Sequence, residues 1–275
     1  MKPIDDLAME YRDKLIPEQN MTDYAVNGNQ YAIPEVISYT SFIYYDKDIL
    51  EKAGYDQFPA TYDHFIKMIS ALHNMGVTPI ALGNTGKWVL QSCYLSTIAS
   101  RYTGDDFLTK ILQGEKKFTD ADFVKALSTI RELTDLQAFN QDMNSINNTQ
   151  QEEIFIKGKA AMFVEGSWAL PKLLQHFPKD RHLGIAIFPS VKDGKGDPAS
   201  VSGVTGQGIA LNENLTGEKK QAAYQFIRHM ANEETYKELI TRNTLVPATI
   251  SVPEDTNESF KKNDFDSRRR NFSGV

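Results

Sequence analysis

The chain has 275 residues, of which 41% are hydrophobic and 24% charged, proportions typical of a globular protein with one large domain or two lobes. A net charge of −6 argues against nucleic acid as the main partner, because phosphate binding requires a basic surface. The sequence has no apolar run long enough to span a membrane and no apolar core of a signal peptide, and its single cysteine, Cys93, excludes an internal disulfide.

Predicted strands and helices alternate along most of the chain. Short apolar runs bounded by turn-forming residues predict strands at 30–34, 41–45, 77–82, 160–164, 183–189 and 209–211. Helices are predicted at 49–53, 61–74, 88–100, 105–139, 149–157, 169–177, 218–230 and from 232 onward. This order of strands and helices predicts an α/β protein with a mostly parallel sheet.

Local signals mark the ends of several predicted helices. Thr61, which precedes an apolar stripe, and Asn232, which precedes two glutamates, are predicted N-caps, and Gly76 is a predicted helix stop. Capping boxes are predicted at 119–122 and 149–152, because in each a threonine precedes an acidic residue three positions later.

The stretch at 158–170 places a large aromatic ring at the end of a predicted buried strand. Gly166 and Ser167 interrupt the apolar run, and Trp168 comes directly before the next helix. Ligands of open α/β sheets bind outside the carboxyl ends of the strands, so Trp168 is a candidate ligand residue. The same position is equally consistent with a ring that packs the helix onto the sheet.

Motifs for cofactors, metals and nucleophilic catalysis are absent from the sequence. No two of the five histidines have the i, i+4 spacing of a helical zinc site, and Gly203, Gly206 and Gly208 lack the spacing of a dinucleotide-binding loop. No cofactor and no metal are therefore predicted. Glu35 and Glu165 are the first candidates for the carboxylate pair of a glycoside hydrolase, although hydrogen-bonding or surface roles fit both better.

Aromatic and amide side chains at predicted strand ends and loops indicate a sugar-binding site. A sugar ring offers an apolar CH face to aromatic rings and hydroxyl groups to amides, and covering about 50 Å² of that face gives roughly 1 kcal/mol. Core packing of Tyr39 and Trp88 is an open alternative. The candidate ligand residues are Tyr39, Asn84, Trp88, Trp168, Gly203 and Gln207, with Ser167 beside them.

Short motifs follow one another in an order that is found in one protein family. They are Asn-Gly-Asn-Gln-Tyr-Ala-Ile-Pro at 27–34, Tyr-Tyr-Asp-Lys-Asp-Ile-Leu at 44–50, Ala-Gly-Tyr at 53–55, Pro-Ala-Thr-Tyr-Asp at 59–63, Phe-Ile-Lys-Gly-Lys-Ala-Ala-Met at 155–162, Gly-Ser-Trp at 166–168, Phe-Pro at 188–189 and Ala-Ala-Tyr-Gln-Phe-Ile at 222–227. Through these motifs the chain resembles the family 1 extracellular solute-binding proteins, the maltodextrin-binding-protein-like sugar-binding subunits of bacterial ABC importers.

The resemblance implies a periplasmic-binding-protein-like fold, in which two α/β lobes joined by hinge strands close on a ligand. Residues 1–44 and 200–245 then form a partial first lobe, and 45–199 form the second lobe. Residues 246–275 form a hinge return, near 246–250, and a polar tail. Family members open with a signal peptide and a βαβ unit that have no counterpart here, so we expect a truncated chain with an incomplete first lobe.

The resemblance also assigns roles to the candidate ligand residues. Trp168 corresponds to the family's Gly-x-Trp aromatic, which stacks on sugar, and Tyr39 falls at a ligand-facing hinge position. Asn84 and Trp88 fall in a loop that contributes ligand contacts, and Gly203 matches the glycine-rich return strand, on which Gln207 also lies.

The function implied by the resemblance is non-enzymatic carbohydrate binding for ABC import. The expected partners are a mono- or oligosaccharide and a membrane permease, and the expected protein is an extracytoplasmic monomer that is lipid-anchored at full length. Two alternatives stay open. One is a carbohydrate-active enzyme that uses Glu35 or Glu165, and the other is a truncated chain that folds as one lobe and binds nothing.

Overall fold

The computed structural model describes residues 1–251, 253 and 254. The polar tail predicted for the C-terminal end lies outside the described residues, apart from Glu254. Contacts divide the described chain into two compact units. Among the described residues, the first unit comprises Met1–Ser38 and those that follow Ser202, and the second unit is Tyr39–Ser202. The predicted second lobe, 45–199, lies inside the second unit.

Helices and strands are interspersed along the described residues, in runs of several of one kind rather than in strict alternation. The helices are α1 (Asp5–Ala8), α2 (Glu18–Met21), α3 (Lys47–Lys52), α4 (Tyr62–Asn74), α5 (Ser96–Thr103), α6 (Phe107–Leu112), α7 (Ala121–Asp135), α8 (Asn148–Ile156), α9 (Leu170–His176), α10 (Gly217–Met230) and α11 (Glu233–Thr241). The strands are β1 (Ala25–Val26), β2 (Asn29–Gln30), β3 (Ala32–Tyr39), β4 (Phe42–Asp46), β5 (Thr78–Ala81), β6 (Ala160–Glu165), β7 (Leu183–Ile187) and β8 (Gly203–Ala210). Other helical elements are the 3₁₀ turns Thr22–Tyr24 and Ser167–Ala169 and a π-helical segment, Val89–Leu95.

The second unit is built on a four-stranded sheet with the order β5-β6-β4-β7. Strand β4 runs antiparallel to both of its neighbours, with Tyr44 opposite Phe163 on one side and Ile185 on the other. Only β5 and β6 pair in parallel in this sheet. The prediction of a mostly parallel sheet is therefore wrong for this unit. Alternating helices and strands predict parallel crossovers, but they do not reveal that β4, from an earlier part of the chain, inserts between β6 and β7.

The core of the second unit surrounds β6. All six residues of this strand are buried, because it has a strand on each side and helices cover the sheet, which confirms the predicted buried strand. Helix α4 lies against the sheet through Phe65, Met68, Ile69 and Leu72, the stripe expected of an amphipathic helix. Burying each of these side chains contributes roughly 1.5–3 kcal/mol.

The first unit is held together by contacts between its two chain segments. Strand β3 pairs with β8, and the buried phenol of Tyr236 in α11 donates a hydrogen bond of 3.0 Å to the carbonyl oxygen of Pro34. The segment at 246–250, predicted as a hinge return, contacts this unit through the Thr249 amide, which donates 3.0 Å to the carbonyl oxygen of Leu15. None of the helices in the described part of the chain has the length and apolar character needed to cross a membrane.

Several helix ends differ from the sequence-based predictions. The helix predicted over 105–139 is two helices, α6 and α7, and between them Gly114 has a φ of +77°, which a helix cannot continue. The capping box of α8 is formed by Asn147 and Gln150 rather than at 149–152. The local sequence does not identify the N-cap residue of α8, because three consecutive residues are suitable candidates: Asn147, Asn148 and Thr149.

The other predicted caps have mixed outcomes. Asn232 caps α11 through its side chain, as predicted, by accepting a hydrogen bond from the Thr235 amide. Thr61 and Asp120 occupy N-cap positions without a side-chain capping bond, so the capping box predicted at 119–122 does not form. Gly76 follows α4 with a φ of +74°, which confirms the predicted helix stop.

Candidate functional site

Trp168 projects from the second unit where β6 ends. It lies in the turn Ser167–Ala169, and 41% of its surface is exposed. Its six-membered ring lies directly over Gly166, where an added Cβ would be 2.1 Å from the Cζ3 atom of the ring. The indole can therefore lie here only because residue 166 is a glycine and has no side chain in its way.

The second tryptophan of the chain packs beside the first. The ring centroids of Trp88 and Trp168 are 6.0 Å apart, and the ring planes form an angle of 51°. Trp88 is half-buried and contacts the core of the second unit just before the π-helical segment. The structure thus brings together two candidate ligand residues that are remote in sequence, and it gives Trp88 a packing role as well.

A buried carboxylate holds the polar edge of the Trp168 indole. The Nε1–H group of Trp168 donates a hydrogen bond of 3.0 Å to Oε1 of Glu165, which has no exposed surface. The other oxygen, Oε2, accepts a bond of 2.9 Å from Nε2 of Gln151, and Oε1 of Gln151 accepts the Gly83 amide at 2.8 Å. A continuous chain of hydrogen bonds therefore links the loop after β5 to the exposed aromatic ring.

The environment of Glu165 favours its protonated form. Burial, and to a lesser extent the charge of Glu152 on α8, raise the pKa of Glu165 to about 7, against the opposing effect of hydrogen bonds from Gly166, Trp168 and Gln151. Glu152 is itself paired with Lys172 on α9. Glu165 therefore carries a charge above neutral pH and a proton below it.

Tyr39 and Ser167 meet next to Trp168. Tyr39 is the last residue of β3 and is buried, with its ring centroid 6.4 Å from that of Phe42. Its backbone amide donates a hydrogen bond of 3.1 Å to the hydroxyl of Ser167. The burial of Tyr39 favours the packing alternative for its ring, while its backbone supports the turn that carries Trp168.

Asn84 lies in the loop after β5. Its side-chain amide donates a hydrogen bond of 3.2 Å to Oδ1 of Asn144, and its backbone amide donates one of 2.7 Å to the carbonyl oxygen of Met143. It lines an open groove of about 520 Å³. The other lining residues are Thr85, Lys87, Leu90, Gln91, Leu95, Leu127, Ile130 and Asn144.

The remaining two candidate residues belong to the first unit. Gly203 begins strand β8 and is half-buried, and Gln207 lies further along the same strand with an exposed side chain. Close to them, an added Cβ at Gly206 would be 2.1 Å from the Ser38 hydroxyl oxygen. The glycine-rich sequence of β8 therefore permits its close pairing with β3.

The two glutamates considered for catalysis differ in their surroundings. Glu165 is fully buried, and both of its oxygens accept hydrogen bonds from neighbouring side chains, an arrangement that positions those side chains. Glu35 is half-buried on β3 in the first unit. Among the described residues, no group of three or more His, Cys, Asp or Glu side chains has the geometry to hold a metal ion.

Sequence reasoning missed two members of this arrangement. It singled out Glu165 only as a possible acid or nucleophile, and it gave no role to Gln151. A signal for Glu165 was available, since a carboxylate three residues before a tryptophan at a strand end can reach back to its indole. The contribution of Gln151 depends on α8 packing against β6 and left no local signal.

Comparisons with known proteins agree with the resemblance. A family model described as bacterial extracellular solute-binding protein matches residues 1–265. The chain is 26% identical over 243 residues to the multiple sugar-binding protein of Streptococcus mutans, across 86% of this chain and 55% of that protein. It is 28% identical over 170 residues to an uncharacterized ABC transporter extracellular-binding protein of Pyrococcus horikoshii, across 62% of this chain and 38% of that protein.

A solved structure of a chitin oligosaccharide binding protein has the same fold. It matches with a TM-score of 0.84 and 24% identity, over 94% of this chain and 64% of that one. This likeness confirms the predicted α/β fold of the periplasmic-binding-protein type. The chain spans about half the length of the Streptococcus mutans relative. Because the family model covers nearly all of the sequence, the chain belongs to the bacterial extracellular solute-binding proteins.

Proposed function

We propose that this chain binds a carbohydrate for uptake through an ABC importer, and that Trp168 supplies the surface on which a sugar ring stacks. The observation that carries the proposal is the exposed indole of Trp168, held by Glu165 and supported by Trp88. Relatives named as a multiple sugar-binding protein and as an ABC transporter extracellular-binding protein support the same function.

The physical basis of the proposal is preorganisation. An aromatic ring that is already fixed loses little conformational entropy when a sugar stacks on it, so more of the stacking energy appears as affinity. One stack that covers about 50 Å² contributes roughly 1 kcal/mol, and micromolar binding needs about 8 kcal/mol in total. Several stacks and hydrogen bonds are therefore required, and Asn84 and Trp88 are the proposed further contributors in the second unit.

The proposal extends to the first unit and to the partner. Tyr39, Gly203 and Gln207 are the proposed contributors near the connections between the units, and closure about those connections is the proposed capture step. The ligand would favour the closed state by contacting both units, and the closed protein would dock on a membrane permease. Membership of an extracellular family supports this extracytoplasmic role, and a lipid anchor on the full-length monomer is part of the proposal.

We also propose that the protein is not an enzyme. The burial of Glu165 supports this, because a carboxylate with no exposed surface does not reach a substrate. The measurement is incubation with an oligosaccharide that binds, followed by chromatography of the sugar. Unchanged sugar is expected, and shorter products would replace this proposal with glycoside hydrolysis.

The binding proposal is tested by tryptophan fluorescence during titration with mono- and oligosaccharides. The two tryptophans of the chain make the signal simple to assign. A saturable change is expected for one class of sugar, and Trp168→Ala should abolish it. Phe226→Ala is a matched control, because Phe226 is an aromatic residue on α10 with 56% of its surface exposed. If no sugar gives a saturable change, or if Trp168→Ala binds as the unmodified chain does, the proposal is wrong.

A further inference from the structure

Trp168 is clamped along two of its edges. Its pyrrole edge donates a hydrogen bond to Glu165, and its benzene edge lies over the Cα atom of Gly166, where Cζ3 would be 2.1 Å from an added Cβ. An exposed tryptophan normally samples several rotamers, because nothing selects one of them. Here the two contacts select a single orientation.

We infer that Glu165 is a positioning residue, which holds the Trp168 indole in its ligand-stacking orientation as the acceptor at the centre of the chain of hydrogen bonds from Gly83 through Gln151. The inference rests on the proposed function for its second half, the effect on sugar affinity. Its first half, the control of the indole's orientation, can be measured without any ligand.

The hydrogen-bonding chemistry of position 165 demands two acceptors. The indole Nε1–H group can only donate. The Gly83 amide donates to Oε1 of Gln151, so this bond turns the Nε2 group of Gln151 toward Glu165. Position 165 therefore faces a donor on each side, and an ionised carboxylate provides an acceptor for both.

Neither a glutamine nor a protonated glutamate satisfies both donors. Glutamine puts an amide NH₂ group, which cannot accept, against one of the two donors. A protonated glutamate puts a hydroxyl there, whose oxygen accepts only weakly and whose own proton needs an acceptor, so one of the two contacts is lost or weakened. Glu165 and Gln151 are both fully buried, and the cost of such a mismatch is therefore not relieved by water. Of the two donors, Trp168 can move, since part of its surface is exposed, whereas Gln151 is confined.

The surroundings of Glu165 place its protonation in the accessible pH range. Burial and the charge of Glu152 raise its pKa to about 7, while burial keeps the neighbouring phenols and thiol neutral by raising their pKa values. The titratable and charged groups around it are Tyr44 on β4, Cys93 and Tyr94 in the π-helical segment, Glu152 on α8, and Lys172 on α9, which pairs with Glu152. Protonation of Glu165 should therefore release the indole as the pH falls below neutral.

The two tryptophans supply a direct readout of the indole's orientation. Indoles 6.0 Å apart and inclined by 51° couple electronically, which gives a paired positive and negative band in the far-ultraviolet circular dichroism spectrum. This pair of bands is called an exciton couplet, and rotation of Trp168 away from Trp88 weakens it. For the ligand-free chain we expect a strong couplet above neutral pH that weakens as the pH falls, with a midpoint at about 7.

Two variants test whether position 165 causes this behaviour. Glu165→Gln should give a weak couplet at every pH and bind sugar about tenfold more weakly at about pH 8, which corresponds to 1.4 kcal/mol. The double variant Glu165→Gln with Gln151→Glu exchanges the carboxylate and the amide. It keeps an acceptor for the Gly83 amide, an acceptor for Trp168 and one bond between the two exchanged side chains, so it should restore the couplet and the affinity.

Glu152→Gln is the matched control. It removes a nearby carboxylate that makes no hydrogen bond to Trp168, so it should leave the couplet strong at about pH 8 and lower its midpoint, since Glu152 contributes to the raised pKa of Glu165. A melting curve for each variant establishes that it is folded. A normal couplet and normal affinity in folded Glu165→Gln would overturn the inference, as would a double variant that restores neither property.

The outcomes separate the inference from the proposed function. If the couplet follows Glu165 and no sugar binds, the proposed function fails and the control of Trp168 by Glu165 is supported. If sugar binding requires Trp168 while Glu165→Gln changes neither the couplet nor the affinity, the inference fails and the proposed function is supported.

Discussion

Gly166→Ala adds a single methyl group beneath the ring of Trp168. The backbone at Gly166 is extended, with φ −84° and ψ 178°, so alanine adopts it without strain. The added Cβ would lie 2.1 Å from Cζ3, 2.2 Å from Cη2 and 2.4 Å from Cε3 of the indole. The substitution therefore acts on the ring of Trp168 and leaves the backbone conformation acceptable.

The magnitude of the effect follows from the distance that the ring must move. Ordinary contact begins at 3.4 Å, so Cζ3 has to retreat by at least 1.3 Å. A displacement of that size, added to the Nε1 to Oε1 distance of 3.0 Å, breaks the hydrogen bond to Glu165. A hydrogen bond to a charged group is worth about 1.5–3 kcal/mol, so we expect Gly166→Ala to lower the free energy of unfolding by about 2 kcal/mol.

The assay is a double-mutant cycle with Trp168→Ala at about pH 8, where Glu165 is ionised. A loss of about 2 kcal/mol lowers the melting temperature by roughly 4–8 °C for a domain of this size. In the Trp168→Ala background the clash is gone, and Gly166→Ala should cost less than about 0.5 kcal/mol. The sugar affinity of Gly166→Ala should fall about tenfold or more, since the displaced ring no longer presents the same face.

An equal cost of Gly166→Ala in both backgrounds would refute this reasoning. It would mean that the methyl group clashes with something other than the indole, or that the ring moves without losing its bond to Glu165. An unchanged couplet between the tryptophans in Gly166→Ala would contradict it independently, because the predicted displacement alters their mutual orientation.

Three further predictions concern the second unit. The pKa of Glu165 is about 7 in the folded chain and has its ordinary value of 4.5 in the unfolded chain. Between these two pH values only the folded chain holds the proton, so the free energy of unfolding should fall by about 3 kcal/mol as the pH rises through this window. Denaturant titrations across it should show the slope, and Glu165→Gln should remove it. Asn147→Ala should cost about 1 kcal/mol of stability, whereas Thr149→Ala, at the sequence-predicted cap, should cost a few tenths; similar losses would contradict the observed cap of α8. Burial raises the pKa of Cys93 to about 12, so its thiol should resist a thiol reagent in the native protein and react on unfolding; rapid native labelling would contradict this.

The position of Glu165 illustrates a conflict between stability and function. Its ionised form satisfies both Trp168 and Gln151, yet burial makes that form costly. An apolar residue or a glutamine would relieve the cost of a buried charge and lose the control of the indole. Polar groups that weaken a fold are often retained where they orient a binding residue.

The sequence by itself determined the elements with the clearest apolar pattern and the family. The apolar spacing of α4 and the continuous apolar run of β6 predict these elements, because side-chain periodicity depends only on the geometry of a helix or strand. The order of short motifs identifies the family, and the place of Trp168 after a buried strand marks it as a candidate ligand residue. Each of these conclusions uses neighbours along the chain.

Only the tertiary structure decided which remote segments meet. It inserts β4 between β6 and β7 in an antiparallel sense, sets Trp88 against Trp168, and directs Gln151 toward Glu165. The sequence presents Glu165 as a candidate catalytic acid, whereas in the structure it accepts the hydrogen bond of the indole. Its burial and its hydrogen-bond partners depend on how remote segments pack, so they are visible only in the fold. Periodicity and propensity carry no information about such pairings. The sequence therefore identifies Trp168 as a candidate, whereas the buried carboxylate that orients it, Glu165, is recognised only from the fold.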